Sequence, residues 1–114
     1  MAVITGGAGG IGLATARRFA AEGATLVIGN VDETAGMGAA DLTNGLFTKV
    51  NVTDQDQVDA LFDIACLLYG SVNVAFNNAG ISPADNASIE LPDWHRASDV
   101  NLTSVYLCSR AALR

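Results

Sequence analysis

Eight residues near the start of the chain, Thr5-Gly6-Gly7-Ala8-Gly9-Gly10-Ile11-Gly12, constrain its fold more than any other stretch. An apolar run, Ala2-Val3-Ile4-Thr5, leads into them. Residues 11–22 follow with helical spacing, with Gly12, Ala16, Phe19 and Ala20 on one face and Gly23 as the stop. A glycine cluster between a strand and a helix lets main chain run where a Cβ would collide. Gly6 permits a tight turn off the strand. Gly10 leaves room for a backbone approach to a ligand, and Gly12 lets the helix pack closely on the sheet. Amides at the helix start, that of Ile11 included, point outward and carry the positive end of the helix dipole. That combination suits the pyrophosphate of a dinucleotide.

The rest of the chain alternates strand and helix signals. Residues 25–28 read as a buried strand, 32–42 as a helix weakened by Gly36 and Gly38, and 46–50 as a third strand. Thr53-Asp54-Gln55-Asp56 has the form of a capping box with an acidic first turn. Behind it Val58, Leu61, Phe62, Ala65, Leu68 and Tyr69 recur on one stripe until Gly70. Residues 72–76 form a fourth strand, followed by Asn77-Asn78-Ala79-Gly80. Pro92 opens another helix, and a last one runs over about 102–114. Near-continuous apolar strands alternating with helices imply a parallel sheet covered on both faces. Right-handed crossovers then give an α/β, Rossmann-type doubly wound parallel sheet, incomplete at about four strands, in the order 3-2-1-4. The length allows a single domain over residues 1–114.

Composition removes several classes of function. The net charge of −6 argues against a nucleic-acid partner. Two cysteines without a CxxC pair, and one histidine, argue against a metal site or a disulfide framework. Cys66 and Cys108 fall among apolar helix residues and are expected to be buried structural thiols. His95, beside Trp94 and Arg96, is expected on a helix surface, and Asp54, Asp56 and Asp59 as capping and solvated charges. No apolar stretch is long enough for a membrane span, and no charged leader with an apolar core is visible, so a soluble cytoplasmic protein is expected.

The end of the second strand bears on which dinucleotide is held. An acidic residue there bonds the adenosine ribose of NAD. Here the strand ends in Ile28-Gly29-Asn30, followed by Val31-Asp32-Glu33. Asn30 can bond a hydroxyl but does not repel a 2′-phosphate. Neither residues 6–12 nor 30–33 contain a lysine or arginine to pair with one. These loops favour NAD over NADP.

Thr5-Gly6-x-x-x-Gly10-x-Gly12 together with Asn77-Asn78-Ala79-Gly80 resembles the classical short-chain dehydrogenases/reductases. Trp94 and Asp99-Val100-Asn101-Leu102-Thr103 resemble the family's helix that carries an active-site asparagine, and the likeness runs the length of the chain. Its flavour is that of the bacterial 3-oxoacyl reductase-like members. The resemblance implies an NAD(P)-dependent oxidoreductase that moves a hydride between nicotinamide and an alcohol/carbonyl substrate. It implies that Thr5 braces the loop, that Gly6, Gly10, Ile11 and Gly12 hold the pyrophosphate, and that Asn30 faces the adenosine ribose. Val52 would lie beside the adenine, and Asn78, Ala79 and Gly80 along the cofactor. Asn101 would be the catalytic asparagine, its backbone carbonyl holding a water of a proton relay. The last helix, apolar on two faces, would pack at a subunit interface in a homo-oligomer.

The chain departs from the family's pattern. Tyr69 and Tyr106 are not followed by lysine four residues later, and the sole lysine, Lys49, belongs to the third strand. The family's catalytic serine and YxxxK pair belong downstream of Arg114. The 114 residues are therefore expected to bind a cofactor without turning it over. A non-catalytic nucleotide-binding module or an inactive truncated product is the alternative. Asn30, Asn51 and Asn73 stand where the family favours aspartate.

Overall fold

The computed structural model describes residues 1–83 and 88–114. Strands β1 (Ala2–Thr5), β2 (Leu26–Asn30), β3 (Leu46–Lys49) and β4 (Val74–Asn77) pair in parallel in the order β3-β2-β1-β4. Helices α1 (Gly10–Ala21), α2 (Glu33–Thr43) and α3 (Gln55–Tyr69) connect them in turn. Helix α4 (Leu91–Ser98), a π-helical turn (Asp99–Thr103) and α5 (Ser104–Ala112) follow β4. This is the expected Rossmann-type doubly wound sheet. The order reverses at β1, which lies between β2 and β4, so the carboxyl ends of β1 and β4 flank the switch point where such sheets bind ligands. Register sets those ends level: Thr5 lies opposite Gly29 on one side and Asn77 on the other.

Alternation along the strands builds two cores. Ala2, Ile4, Leu26 and Ile28 pack against Ala16 of α1 and Ala39 of α2. Val3 and Val27 point the other way, toward Val58, Leu61 and Phe62 of α3 and Leu107 and Cys108 of α5. Strands buried on both faces need no polar alternation, which is why these runs are almost purely aliphatic. Each fully buried Leu, Ile or Phe contributes about 1.5–3 kcal/mol.

The structure adjusts several element boundaries. β2 runs past Ile28 to Asn30, because Asn30 pairs with Lys49 of β3. Helix α2 is continuous despite its glycines: a Cβ on Gly36 would lie 2.1 Å from the Phe47 ring, so this glycine admits the β3 aromatic. The cap of α3 sits one residue later than the Thr53-led reading. Asp54 is the N-cap; it accepts from the Gln57 N–H (3.1 Å) and from Gln57 Nε2 (3.0 Å). The α3 stripe is buried from Val58 to Ala65, but Leu68 is 56% exposed and Tyr69 is also exposed. The last helix is no separate element beginning at residue 102, since α4 passes through the π-helical turn into α5. Neither of the two apolar faces expected to be covered is buried throughout: of Val105, Cys108 and Ala112 only Cys108 is fully buried, and Leu102, Tyr106 and Leu113 are exposed, while the helix meets the core through Leu107, Cys108 and Ala111.

The two thiols differ. Cys108 is buried, and burial pushes its thiol up to about 11. Cys66 is exposed, contrary to expectation, because it lies off the Val58–Ala65 stripe of α3. No helix among the described residues is long and apolar enough to cross a membrane, and they contain no group of three or more potential metal ligands.

Candidate functional site

The site begins where β1 and β4 end side by side. Thr5 is buried, and its hydroxyl oxygen accepts from the N–H of Asn78 (3.2 Å) and of Ala79 (3.3 Å). Asn78 returns the contact: its Nδ2 donates to the carbonyls of Thr5 (3.2 Å) and Gly6 (3.0 Å). Four hydrogen bonds thus fasten the first glycine turn to the Asn-Asn-Ala-Gly segment. This clamp dictates the glycines. Gly6 has φ +66°, and a Cβ there would lie 2.8 Å from the Ala79 Cα. A Cβ on Gly12 would lie 2.1 Å from the Gly6 carbonyl oxygen and 2.5 Å from Asn78 Nδ2. Gly12 therefore packs the helix against the loop and the asparagine rather than directly on the sheet.

Beyond the clamp the loop opens. Gly10 has φ +54°, and a Cβ at Gly9 or Gly10 would meet nothing within 4 Å. Gly9 is the N-cap of α1, without a side chain to accept the first-turn amides, and that turn has no acidic residue. The amides of Gly10, Ile11 and Gly12 form that first turn, which leaves them no acceptor within the helix. Helices α2 and α3 differ: Asp32 accepts from the Ala35 N–H (3.0 Å), and Asp54 from Gln57.

A cleft of about 530 Å³ runs across the strand ends beside this loop. Gly6, Asn30, Val52, Ala79 and Gly80 line it. Thr5, Gly10, Ile11, Gly12, Asn78 and Asn101 do not: the first five form the clamp and the helix start, and Asn101 stands behind Ile81. Asn30 Nδ2 donates to the Asp32 carbonyl (3.3 Å), while its side-chain oxygen accepts nothing from the described residues. Val52 is buried. Asn51 Oδ1 accepts from both the N–H (3.0 Å) and the hydroxyl (2.8 Å) of Thr53, folding the turn that presents Val52.

Asn101 occupies the π-helical turn. Its Oδ1 accepts from the Ile81 N–H and its Nδ2 donates to the Ile81 carbonyl, both at 2.8 Å. The side chain is spent on holding the segment that follows Gly80. The turn shows its π character in the Ser104 N–H, which donates to the Asp99 carbonyl five residues back.

Sequence reasoning missed one wall of the cleft. Pro92, His95, Arg96, Asp99 and Val100 line it from α4 and the π-helical turn. His95 is exposed as expected, yet it faces this space. The spacing 92, 95/96, 99 is one helix face and could have been read from the sequence.

The parallel order, the switch point and the glycine loop define a Rossmann-type fold of nucleotide-binding form. The family described as short chain dehydrogenase matches residues 1–114, and the chain belongs to that family. It is 42% identical to a cis-4-hydroxycyclohexanecarboxylate dehydrogenase of Sinomonas cyclohexanicum, covering 100% of this chain and 48% of the relative. It is 39% identical to 3beta-hydroxysteroid dehydrogenase 1 of Eggerthella lenta, covering 97% and 45%. A short-chain dehydrogenase/reductase structure from Brucella melitensis, described as glucose/ribitol dehydrogenase, superposes with a TM-score of 0.92 at 30% identity, covering 98% of this chain and 50% of that one. The chain spans about half the length of these relatives.

Proposed function

We propose that these residues are the cofactor-binding part of an NAD(P)-dependent oxidoreductase acting on an alcohol/carbonyl pair. One observation carries the reading. The start of α1 is left uncapped and faces open space, while the loop behind it is held rigid by Thr5 and Asn78. Braced amides at the positive end of a helix, with no side chain of the described residues capping them, are what a pyrophosphate needs. The clamp would hold these amides in place before the cofactor arrives. Gly6, Gly10, Ile11 and Gly12 would hold the pyrophosphate; Asn30, through its free side-chain oxygen, the adenosine ribose; and Val52 the adenine. Asn78, Ala79 and Gly80 would lie along the rest of the dinucleotide. On the loop residues alone, NAD is favoured over NADP.

When bound, the nicotinamide would supply the hydride chemistry. The chain's own residues bind and orient. Asn101, its side chain committed to Ile81, would offer its backbone carbonyl to a water that passes a proton. The general acid and its lysine are not found as a Tyr-x-x-x-Lys in these 114 residues. The outward face of α5, with Leu102, Tyr106 and Leu113, would be covered by a second subunit, and the protein would be cytoplasmic. The substrate is assigned only as this class.

Titration with NADH, followed by transfer from Trp94 to the reduced nicotinamide, tests the reading. Saturable binding that NAD displaces is expected; no binding of either dinucleotide would overturn it. We also expect no turnover from these residues with NAD(H) or NADP(H) and simple ketones or alcohols. Hydride transfer seen at the nicotinamide absorbance would refute that. The alternative, a non-catalytic nucleotide-binding module, shares the binding result and parts from the enzyme reading on whether the parent chain continues into a serine and a YxxxK.

A further inference from the structure

Four of the six basic side chains are paired: Arg18 with Glu22, Lys49 with Glu33, and both Arg110 and Arg114 with Asp59. Arg96 forms no ion pair among the described residues, yet it lines the cleft from α4. Asn30 and Val31, at the end of β2, line the same cleft. No carboxylate projects from that strand end. Asp32 is bonded to the Ala35 amide and does not line the cleft. Among the described residues Asp99 is the one lining carboxylate, and no ion pair joins it to Arg96.

We infer that Arg96 is a specificity-determining residue of this cleft. Its guanidinium provides the cation for a phosphate on the adenosine ribose, so that the site takes NADP as well as NAD. The inference rests on the cofactor reading proposed above. Of the residues given to the pyrophosphate only Gly6 lines this cleft, whereas Asn30, given to the adenosine ribose, lines it together with Arg96. The phosphate matched to Arg96 is therefore the one on that ribose. Neutral Asn30 leaves that phosphate unrepelled, and the planar guanidinium fork binds phosphate oxygens in pairs. The cation is supplied from α4, so the loops next to Asn30 need none.

The test compares adenosine 5′-monophosphate with adenosine 2′,5′-bisphosphate, which differ only in the phosphate at issue. Each is titrated by calorimetry at low salt into the unmodified chain, Arg96→Gln and Arg96→Lys. The bisphosphate should bind the unmodified chain at least as tightly as the monophosphate. Arg96→Gln should weaken the bisphosphate about tenfold and the monophosphate less than twofold, and Arg96→Lys should restore part of the loss. Added salt should weaken the bisphosphate more. Tighter binding of the monophosphate by the unmodified chain overturns the inference. So does an equal loss of both ligands in Arg96→Gln, which would mean that Arg96 packs on the adenine they share, or no loss of either. These outcomes leave the cofactor reading standing. If neither nucleotide nor NADH binds the unmodified chain, the cofactor reading falls, and this inference with it.

Discussion

Helices α1 and α3 begin in opposite ways, although both follow a strand of the same sheet. At α3 the protein satisfies its own amides: Asp54 caps, Gln57 returns the bond, and Gln57 Oε1 accepts from the Asn51 N–H at 2.8 Å. At α1 the cap is Gly9, which has no side chain to offer, and the loop is instead fixed from behind by Thr5 and Asn78. A capped start is finished. A start that is braced but uncapped leaves its first-turn amides to partners outside the helix. Orphan helix amides are ordinarily taken up by side chains or water, so rigidity without a cap separates the α1 start from a merely fraying end.

The comparison can be broken most severely from the rigid side. Gly12→Ala places a Cβ 2.1 Å from the Gly6 carbonyl oxygen, with backbone on one side and the clamp asparagine on the other. Neither can yield cheaply. A loss of about 3 kcal/mol or more in stability is expected, together with nucleotide binding, measured by chemical denaturation and calorimetry. Near-native stability would mean that the loop is softer than its hydrogen bonds suggest. Thr5→Val should act less strongly. It keeps the shape and the strand but strips the Ala79 amide of its acceptor, and leaves the Asn78 amide only the Phe76 carbonyl (3.0 Å). About 2 kcal/mol should be lost, and nucleotide affinity should fall with it because the loop is no longer braced. A stability loss with unchanged affinity would detach the clamp from the site.

The frame of this fold was legible because it rests on short-range chemistry. Aliphatic runs such as Leu26-Val27-Ile28, the Val58 to Ala65 stripe, and glycines after the first strand each follow from local periodicity, and the order 3-2-1-4 follows from crossover handedness. What escaped was decided by distant partners. Gly36 looked like a helix breaker until Phe47, on the neighbouring strand, filled the space beside it. The side chain of Asn101 bonds Ile81, across a stretch of twenty residues, a partner that no local pattern names. Arg96 and His95 entered the cleft only when α4 was folded back over the strand ends. Cys66 was misjudged because apolar neighbours in sequence lie on another side of the helix.

The smallest expected effects give the sharpest test, because they exchange the two helix starts. Asp54→Ala removes the α3 cap and should cost about 1 kcal/mol, with nucleotide affinity changed by less than about threefold. Gly9→Asp gives α1 the cap it lacks. Gly9 has an extended backbone (φ −163°) that any residue adopts, and a Cβ there meets nothing within 4 Å. Stability should rise by a few tenths of a kcal/mol. Nucleotide affinity should fall at least about tenfold, since a carboxylate then occupies the amides and repels phosphate across a short distance. Opposite movements of stability and binding in one variant are hard to obtain by damaging a fold. If Gly9→Asp binds nucleotide as well as the unmodified chain, the α1 amides are not the phosphate site. If Asp54→Ala loses binding in step with stability, the Asp54-Gln57-Asn51 chain supports the cleft too, and the two helix starts differ less than their caps imply.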